Sequence, residues 1–107
     1  MAHKRTILTA IQNAVTSVDL VAAVPGCKVC VVGYVVTAGA GAGTLKFTSG
    51  TGPTDISATH HYAANGGLVV GQGDEARVLE TAIGEKLACV GTGGPFDLTI
   101  RYYLAQA

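Results

Sequence analysis

Turn residues recur along this chain about every 8–12 residues, and the stretches between them are short and rich in Val, Thr, Ile and Tyr. Glycine suits tight turns because it adopts positive φ without steric cost, whereas β-branched residues suit a pleated strand. The turn clusters are Pro25-Gly26 and residues 39–43, 50–53, 65–67, 71–73, 84 and 91–95. This spacing predicts an all-β chain, which we assign to a two-sheet antiparallel β-sandwich of jelly-roll type with about eight strands.

The clearest strand covers residues 95–105, where apolar and polar side chains alternate strictly. Successive side chains of a strand point to opposite faces, so one set is expected to face the core. That inward set is Phe96, Leu98, Ile100, Tyr102 and Leu104, and the outward set is Asp97, Thr99, Arg101, Tyr103 and Ala105. Residues 43–49 and 86–90 show shorter versions of the same pattern.

Residues 27–37 are apolar on both faces, which is typical of a central strand that is covered on both sides. Only one face of a strand meets the core in a two-sheet sandwich. The second face therefore needs either a neighbouring subunit or a loop of the same chain.

Residues 6–18 allow two interpretations. Ile7, Leu8, Ile11, Val15 and Val18 match the apolar stripe of a helix, but the segment also suits an extended arm. We therefore divide the chain into an N-terminal arm or short helix at residues 1–17 and one β-sandwich domain at residues 18–107.

Charged residues make up only 13% of the chain, and seven basic residues balance seven acidic ones. A neutral chain gives no support for phosphate contacts, so we expect no nucleic-acid partner. No run of about 18 apolar residues is present, and the first residues are too polar for a signal peptide, so we expect no membrane partner and a cytoplasmic protein. So few charges leave much of the surface suited to association, which predicts a homo-oligomer or a component of an assembly.

The cysteines and histidines suggest a metal site only weakly. Cys27 and Cys30 are three residues apart in a predicted strand, so their thiols should diverge, and adjacent His60 and His61 should face opposite ways. We expect reduced, mostly buried thiols that act as small hydrophobic side chains, and no metal or other cofactor.

Catalytic motifs are equally weak. Residues 71–76 match Gly-x-Gly-x-x-Ala, but a dinucleotide fold needs a following helix and parallel strand, whereas the remaining residues predict strands. Ser17, Ser49 and Ser57 lie outside any Gly-x-Ser-x-Gly elbow. We therefore expect a non-enzyme without catalytic residues.

Five runs along the chain carry a resemblance to a known family. They are residues 31–37, 45–51, 63–70, 79–85 and 97–102, with sequences such as VVGYVVT and LKFTSGT. Together they resemble a small β-domain encoded in many tailed-phage and prophage genomes. The resemblance implies a virion structural protein, most simply a head-decoration or cement protein, with no catalytic residues to transfer.

Such a role implies partners and a location. The resemblance implies a homotrimer bound to the major capsid protein, in a virion assembled in the host cytoplasm. Lys4 and Arg5, followed by apolar Ile7 and Leu8, suit a contact arm that orders on binding. Tyrosine is enriched at interfaces, so we also expect contacts from Tyr34 and Tyr103.

Two alternative functions stay open. The first is a β-domain associated with the tail or a tail fibre. The second is a carbohydrate- or ligand-binding β-sandwich, for which Tyr103, as an outward aromatic side chain, would supply the stacking platform.

Overall fold

The computed structural model describes residues 6–71 and 77–106. These residues form ten strands and no helix. The strands are β1 (Leu8–Val15), β2 (Val18–Val21), β3 (Cys27–Ala38), β4 (Gly43–Ser49), β5 (Thr54–Asp55), β6 (His60–Tyr62), β7 (Gly67–Val70), β8 (Leu79–Glu80), β9 (Leu87–Gly93) and β10 (Phe96–Gln106). The predicted all-β sandwich is therefore confirmed.

The strands divide between two antiparallel sheets that pack face to face. The first sheet has the order β1-β10-β3-β7, and β8 also pairs with β3. The second sheet has the order β2-β9-β4-β5, and β6 also pairs with β4. The chain alternates between the sheets from β1 to β4, so the neighbours in β1-β10-β3 and in β2-β9-β4 are distant in sequence.

The core between the sheets is filled by side chains from the central strands. Phe96, Leu98 and Ile100 of β10 are buried and face Leu45 and Phe47 of β4. Aromatic contacts join the layers, with ring centroids 4.8 Å apart for Tyr34 and Phe47 and 5.5 Å apart for Tyr62 and Phe96. Aromatic and aliphatic burial of this kind is the main term that stabilises a small domain.

The helical alternative for residues 6–18 is wrong. Residues 8–15 form β1, whose residues Leu8–Gln12 pair in register with β10. The ladder shifts before Val15, where Ala14 has a φ of 55° and its N–H bonds to Asp97. The sandwich therefore includes residues that we assigned to an arm before residue 18, because β1 supplies an edge strand of the first sheet.

Part of the second apolar face of β3 is buried by this chain itself. Cys30 and Val32 form a small cluster with Tyr103 on the outer side of the first sheet, and Ile7 and Ala105 pack against it. A register shift between β10 and β3 leaves Val32 as an extra residue, which is the geometry of a β-bulge. No neighbouring subunit is needed to cover this part of the strand.

Candidate functional site

The cysteines are free thiols, and two of the three are buried. Cys30 and Cys89 are buried and Cys27 is half-buried, and all three are free thiols. Burial raises the pKa of Cys89, whose Sγ lies 3.9 Å from the carbonyl oxygen of Thr16. A raised pKa keeps the thiol protonated and unreactive at neutral pH, which agrees with the prediction of small hydrophobic side chains.

His60 and His61 lie at an edge of the second sheet. His60 is half-buried and its ring centroid lies 6.5 Å from that of Tyr62, whereas His61 is exposed and pairs in register with Thr44. Within residues 6–71 and 77–106, no three His, Cys, Asp or Glu side chains come together in a group that could hold a metal ion.

The serine hydroxyls hold loops in place. Ser49 Oγ donates to Glu85 Oε1 over 2.6 Å and accepts the N–H of Ala82. Ser17 and Ser57 accept backbone N–H groups from Gly91 and Phe47, both over 3.0 Å or less. Each hydroxyl thus has a structural bond that explains its position.

The two predicted interface tyrosines are not exposed. Tyr34 is 5% exposed and lies in the core against Phe47. Tyr103 does lie on the outer side of the first sheet, as predicted, but it is only 4% exposed because it packs in the small cluster with Cys30 and Val32. Neither ring is exposed in this conformation, and an interface contact from Tyr34 or Tyr103 stays a prediction.

The predicted contact arm lies only partly within the structure. Lys4 and Arg5 fall outside the described residues. Ile7 is half-buried against the small cluster, and Leu8 is 37% exposed at the start of β1. Of these predicted contact residues, Leu8 keeps the exposure that a contact would need.

A row of uncharged side chains crosses the outer face of the first sheet. Ile11, Thr99, Val35 and Val69 are direct partners on β1, β10, β3 and β7, so their side chains stand side by side on one face. Ile11 is 62% exposed, Val35 40% and Val69 70%. We call these four residues the outer row.

Opposite charges flank the outer row on the same strand. Asp97 and Arg101 lie two residues before and after Thr99, and both are exposed on its face. Asp97 Oδ1 also accepts the backbone N–H of Ala14 over 2.8 Å. Arg101 borders a depression of about 130 Å³ that Gly33 and Gly71 help to line.

The outer face of the second sheet is charged instead. Lys86 Nζ lies 2.8 Å from Asp19 Oδ1, and Lys46 Nζ lies 3.0 Å from Asp55 Oδ1. Asp19 and Lys86 both line two adjoining depressions of about 250 and 340 Å³. Exposed ion pairs keep a surface hydrated and contribute little energy, so this face suits solvent better than the outer row does.

A third charged group closes the far end of the first sheet. Glu80 Oε2 lies 2.8 Å from Lys28 Nζ and 2.7 Å from a terminal guanidinium nitrogen of Arg77. The hydrogen bonds from Lys28 and Arg77 lower the pKa of Glu80. This network joins Lys28 of β3 to Glu80 of β8 at the outer surface of the first sheet.

Comparison with known proteins adds no relative. No family model, no curated protein and no solved structure matches the chain. Across the described residues, no helix is long and apolar enough to cross a membrane.

Sequence reasoning missed the outer row because its members are distant in sequence. Thr99 was correctly placed on the outward set of its strand, but Ile11 was part of an ambiguous segment. Only the pairing of four strands shows that Ile11, Val35 and Val69 share one line with Thr99.

Proposed function

We propose that this chain is a structural protein of a tailed-phage particle, most simply a capsid decoration protein that self-associates and binds the major capsid protein. It would act in the virion after assembly in the host cytoplasm. The proposal assigns it no catalytic role and no cofactor.

The outer row is the observation that carries the proposal. Isolated exposed apolar residues are common on soluble proteins, but here Ile11, Val35 and Val69 stand together with Thr99 in one line across four strands. A flat β-sheet face of this kind offers little for a small ligand to enter. It can however bury apolar surface against another protein.

The architecture supports the same proposal. If β5 and β6 count as one strand position, and β7 and β8 as another, each sheet has four positions. The orders are then β1-β10-β3-β7/β8 and β2-β9-β4-β5/β6. They support the interpretation as a jelly roll, which is a fold used in viral capsids. A rigid sandwich of this kind can stabilise a shell mechanically, because a protein that binds only the assembled lattice shifts the equilibrium towards it.

The two alternatives differ in their support. A tail or fibre-associated β-domain would use the same fold and the same outer row, so it differs only in the partner. The carbohydrate-binding alternative depended on Tyr103 as an exposed platform, and that ring is 4% exposed.

Binding to shells tests the proposal directly. Purified protein is mixed with expanded shells assembled from the major capsid protein of the same genome, and the shells are then sedimented and melted. We expect stoichiometric binding and a higher shell melting temperature. Binding to tail tubes or fibres instead would support the second candidate, and no binding to any particle component would contradict both.

A further inference from the structure

We infer that the outer row is the contact through which two copies of this chain pack face to face around a two-fold axis. This inference does not depend on the phage assignment, because it rests only on the register and charges of the first sheet. The occupant of the exposed sheet face is thus a second copy of the same chain.

The positions of Asp97 and Arg101 argue for a second copy. Each lies two residues from Thr99, about 7 Å along the strand on either side of the outer row. A two-fold axis that runs along the outer row reverses the strand direction in the second copy. Asp97 of one copy then faces Arg101 of the other, and the same pair forms a second time by symmetry.

The residues between these charges fit the same arrangement. A two-fold contact uses one patch on both copies, so the patch must be complementary to itself. Along the axis, Ile11, Thr99, Val35 and Val69 meet their own counterparts, and all are uncharged. The depression of about 130 Å³ that borders Arg101 leaves room beside its guanidinium for the carboxylate of the opposing Asp97.

The size of the patch predicts a weak dimer. Four strands about 4.8 Å apart and three rows of side chains give a face of about 400 Å² per copy. About 800 Å² in total lies below the usual size of a stable interface. The dimer should therefore depend on protein concentration. A trimer, as the resemblance implies, would need a different contact, since a two-fold pair closes on itself.

Charge reversal with a matched rescue tests the inference. Sedimentation equilibrium is measured for the unmodified protein, for Asp97→Lys, for Arg101→Glu and for the double variant. We expect a reversible rise in mass from 10.8 kDa towards a dimer for the unmodified protein. Each single variant should weaken the dimer by about tenfold or more, because like charges then face each other.

The rescue separates this contact from simple damage to the fold. Asp97 also accepts a hydrogen bond from Ala14, so Asp97→Lys removes a structural bond as well as a charge. The double variant carries the same substitution, yet its charges are complementary again, and it should regain the dimer. An equal mixture of the two single variants should form a heterodimer, because the introduced lysine then faces the introduced glutamate, and the unchanged Arg101 faces the unchanged Asp97.

Four outcomes would overturn the inference. They are a monomer at every concentration, a trimer that neither single variant changes, a dimer that both single variants leave intact, and single-variant mixtures that stay monomeric. If the variants instead lose only binding to phage shells while the mass in solution never changes, the face belongs to a shell contact and the two-fold pair is rejected.

Discussion

Tyr62 places a hydroxyl inside the sandwich at a position where burial decides its chemistry. The side chain is 7% exposed, and the described residues offer its hydroxyl no hydrogen-bond partner. The pKa of Tyr62 is raised from 10.0 to about 12. Burial is the larger cause, and the electrostatic effect of the nearby Tyr34 is the smaller one. The folded state therefore holds this proton more tightly than the unfolded state does.

This difference predicts a loss of stability in alkali. Below pH 10 the Tyr62 phenol is protonated in both the folded and the unfolded state, so its titration does not change the free energy of unfolding. Between pH 10 and about 12 the phenol ionises in the unfolded state first, and the free energy of unfolding therefore falls. Tyr62→Phe should reduce this fall, although Tyr34, whose pKa burial also raises, should preserve part of it. Urea unfolding of both proteins across this range measures the effect.

The same variant makes a prediction at neutral pH. Because the buried hydroxyl lacks a partner, Tyr62→Phe should leave stability unchanged or raise it by up to about 1 kcal/mol. A loss of more than about 1 kcal/mol would show that the hydroxyl has a hydrogen-bond partner in solution. An alkaline fall equal to that of the unmodified protein would show that Tyr62 is not its source.

Individual residues also show the limit of prediction from sequence. The alternation of residues 96–102 was predicted correctly, because period two is visible in a single segment. The burial of Tyr103 was not, because it depends on Cys30 and Val32 of another strand and on a bulge at Val32 that no local pattern indicates.

The short strand β8 is held to β3 by reciprocal hydrogen bonds. The N–H of Val29 donates to Thr81 Oγ1 over 2.9 Å, and the N–H of Thr81 donates to the Val29 carbonyl over 3.0 Å. Thr81 is 2% exposed, so water cannot replace its hydroxyl easily.

Thr81→Val should therefore cost about 1–3 kcal/mol, because it leaves the buried Val29 N–H without its acceptor while the side-chain volume stays the same. Thr81→Ser is the matched control, since it retains the hydroxyl and should recover most of that loss. Chemical denaturation measures both, and equal stabilities for the two variants would contradict the role of the hydroxyl.

The end of β7 requires a glycine. Gly71 has a φ of +93°, and a Cβ at this position would collide with the backbone of Val32. Gly71→Ala should destabilise the protein by more than about 1 kcal/mol. Gly52→Ala is the control, because nothing lies within 4 Å of a Cβ there and its φ is not positive. Thermal unfolding should separate the two variants, and equal melting temperatures would contradict the assigned backbone geometry.

Prediction at the level of elements depended on whether a segment shows its own periodicity. Residues 43–49 and 95–105 were predicted as strands because alternation marks them. Residues 8–15 were not resolved, because their apolar positions fit a helix equally well and only pairing with β10 selects the extended form. Tertiary pairing overrides local preference in such segments.

On the scale of the whole molecule, the sparse charges are unevenly placed. Ion pairs lie on the outer face of the second sheet and at the β8 end of the first sheet. Along the described residues of β10, the charged residues that flank the outer row are Asp97 and Arg101. The low charge content predicted a surface suited to association, and we propose that the outer row is that surface. For the second face of residues 27–37 we expected cover from either a neighbouring subunit or a loop; Cys30 and Val32 are buried within the chain, whereas Val35 is exposed.

Electron cryomicroscopy of shells assembled with this protein, from the major capsid protein of the same genome, shows whether the sandwich decorates a shell. We expect one regular density for the sandwich at each equivalent shell position, with the outer row covered by protein. Shells without such density would contradict the structural role, and decorated shells whose outer row faces solvent would contradict the surface assigned to assembly.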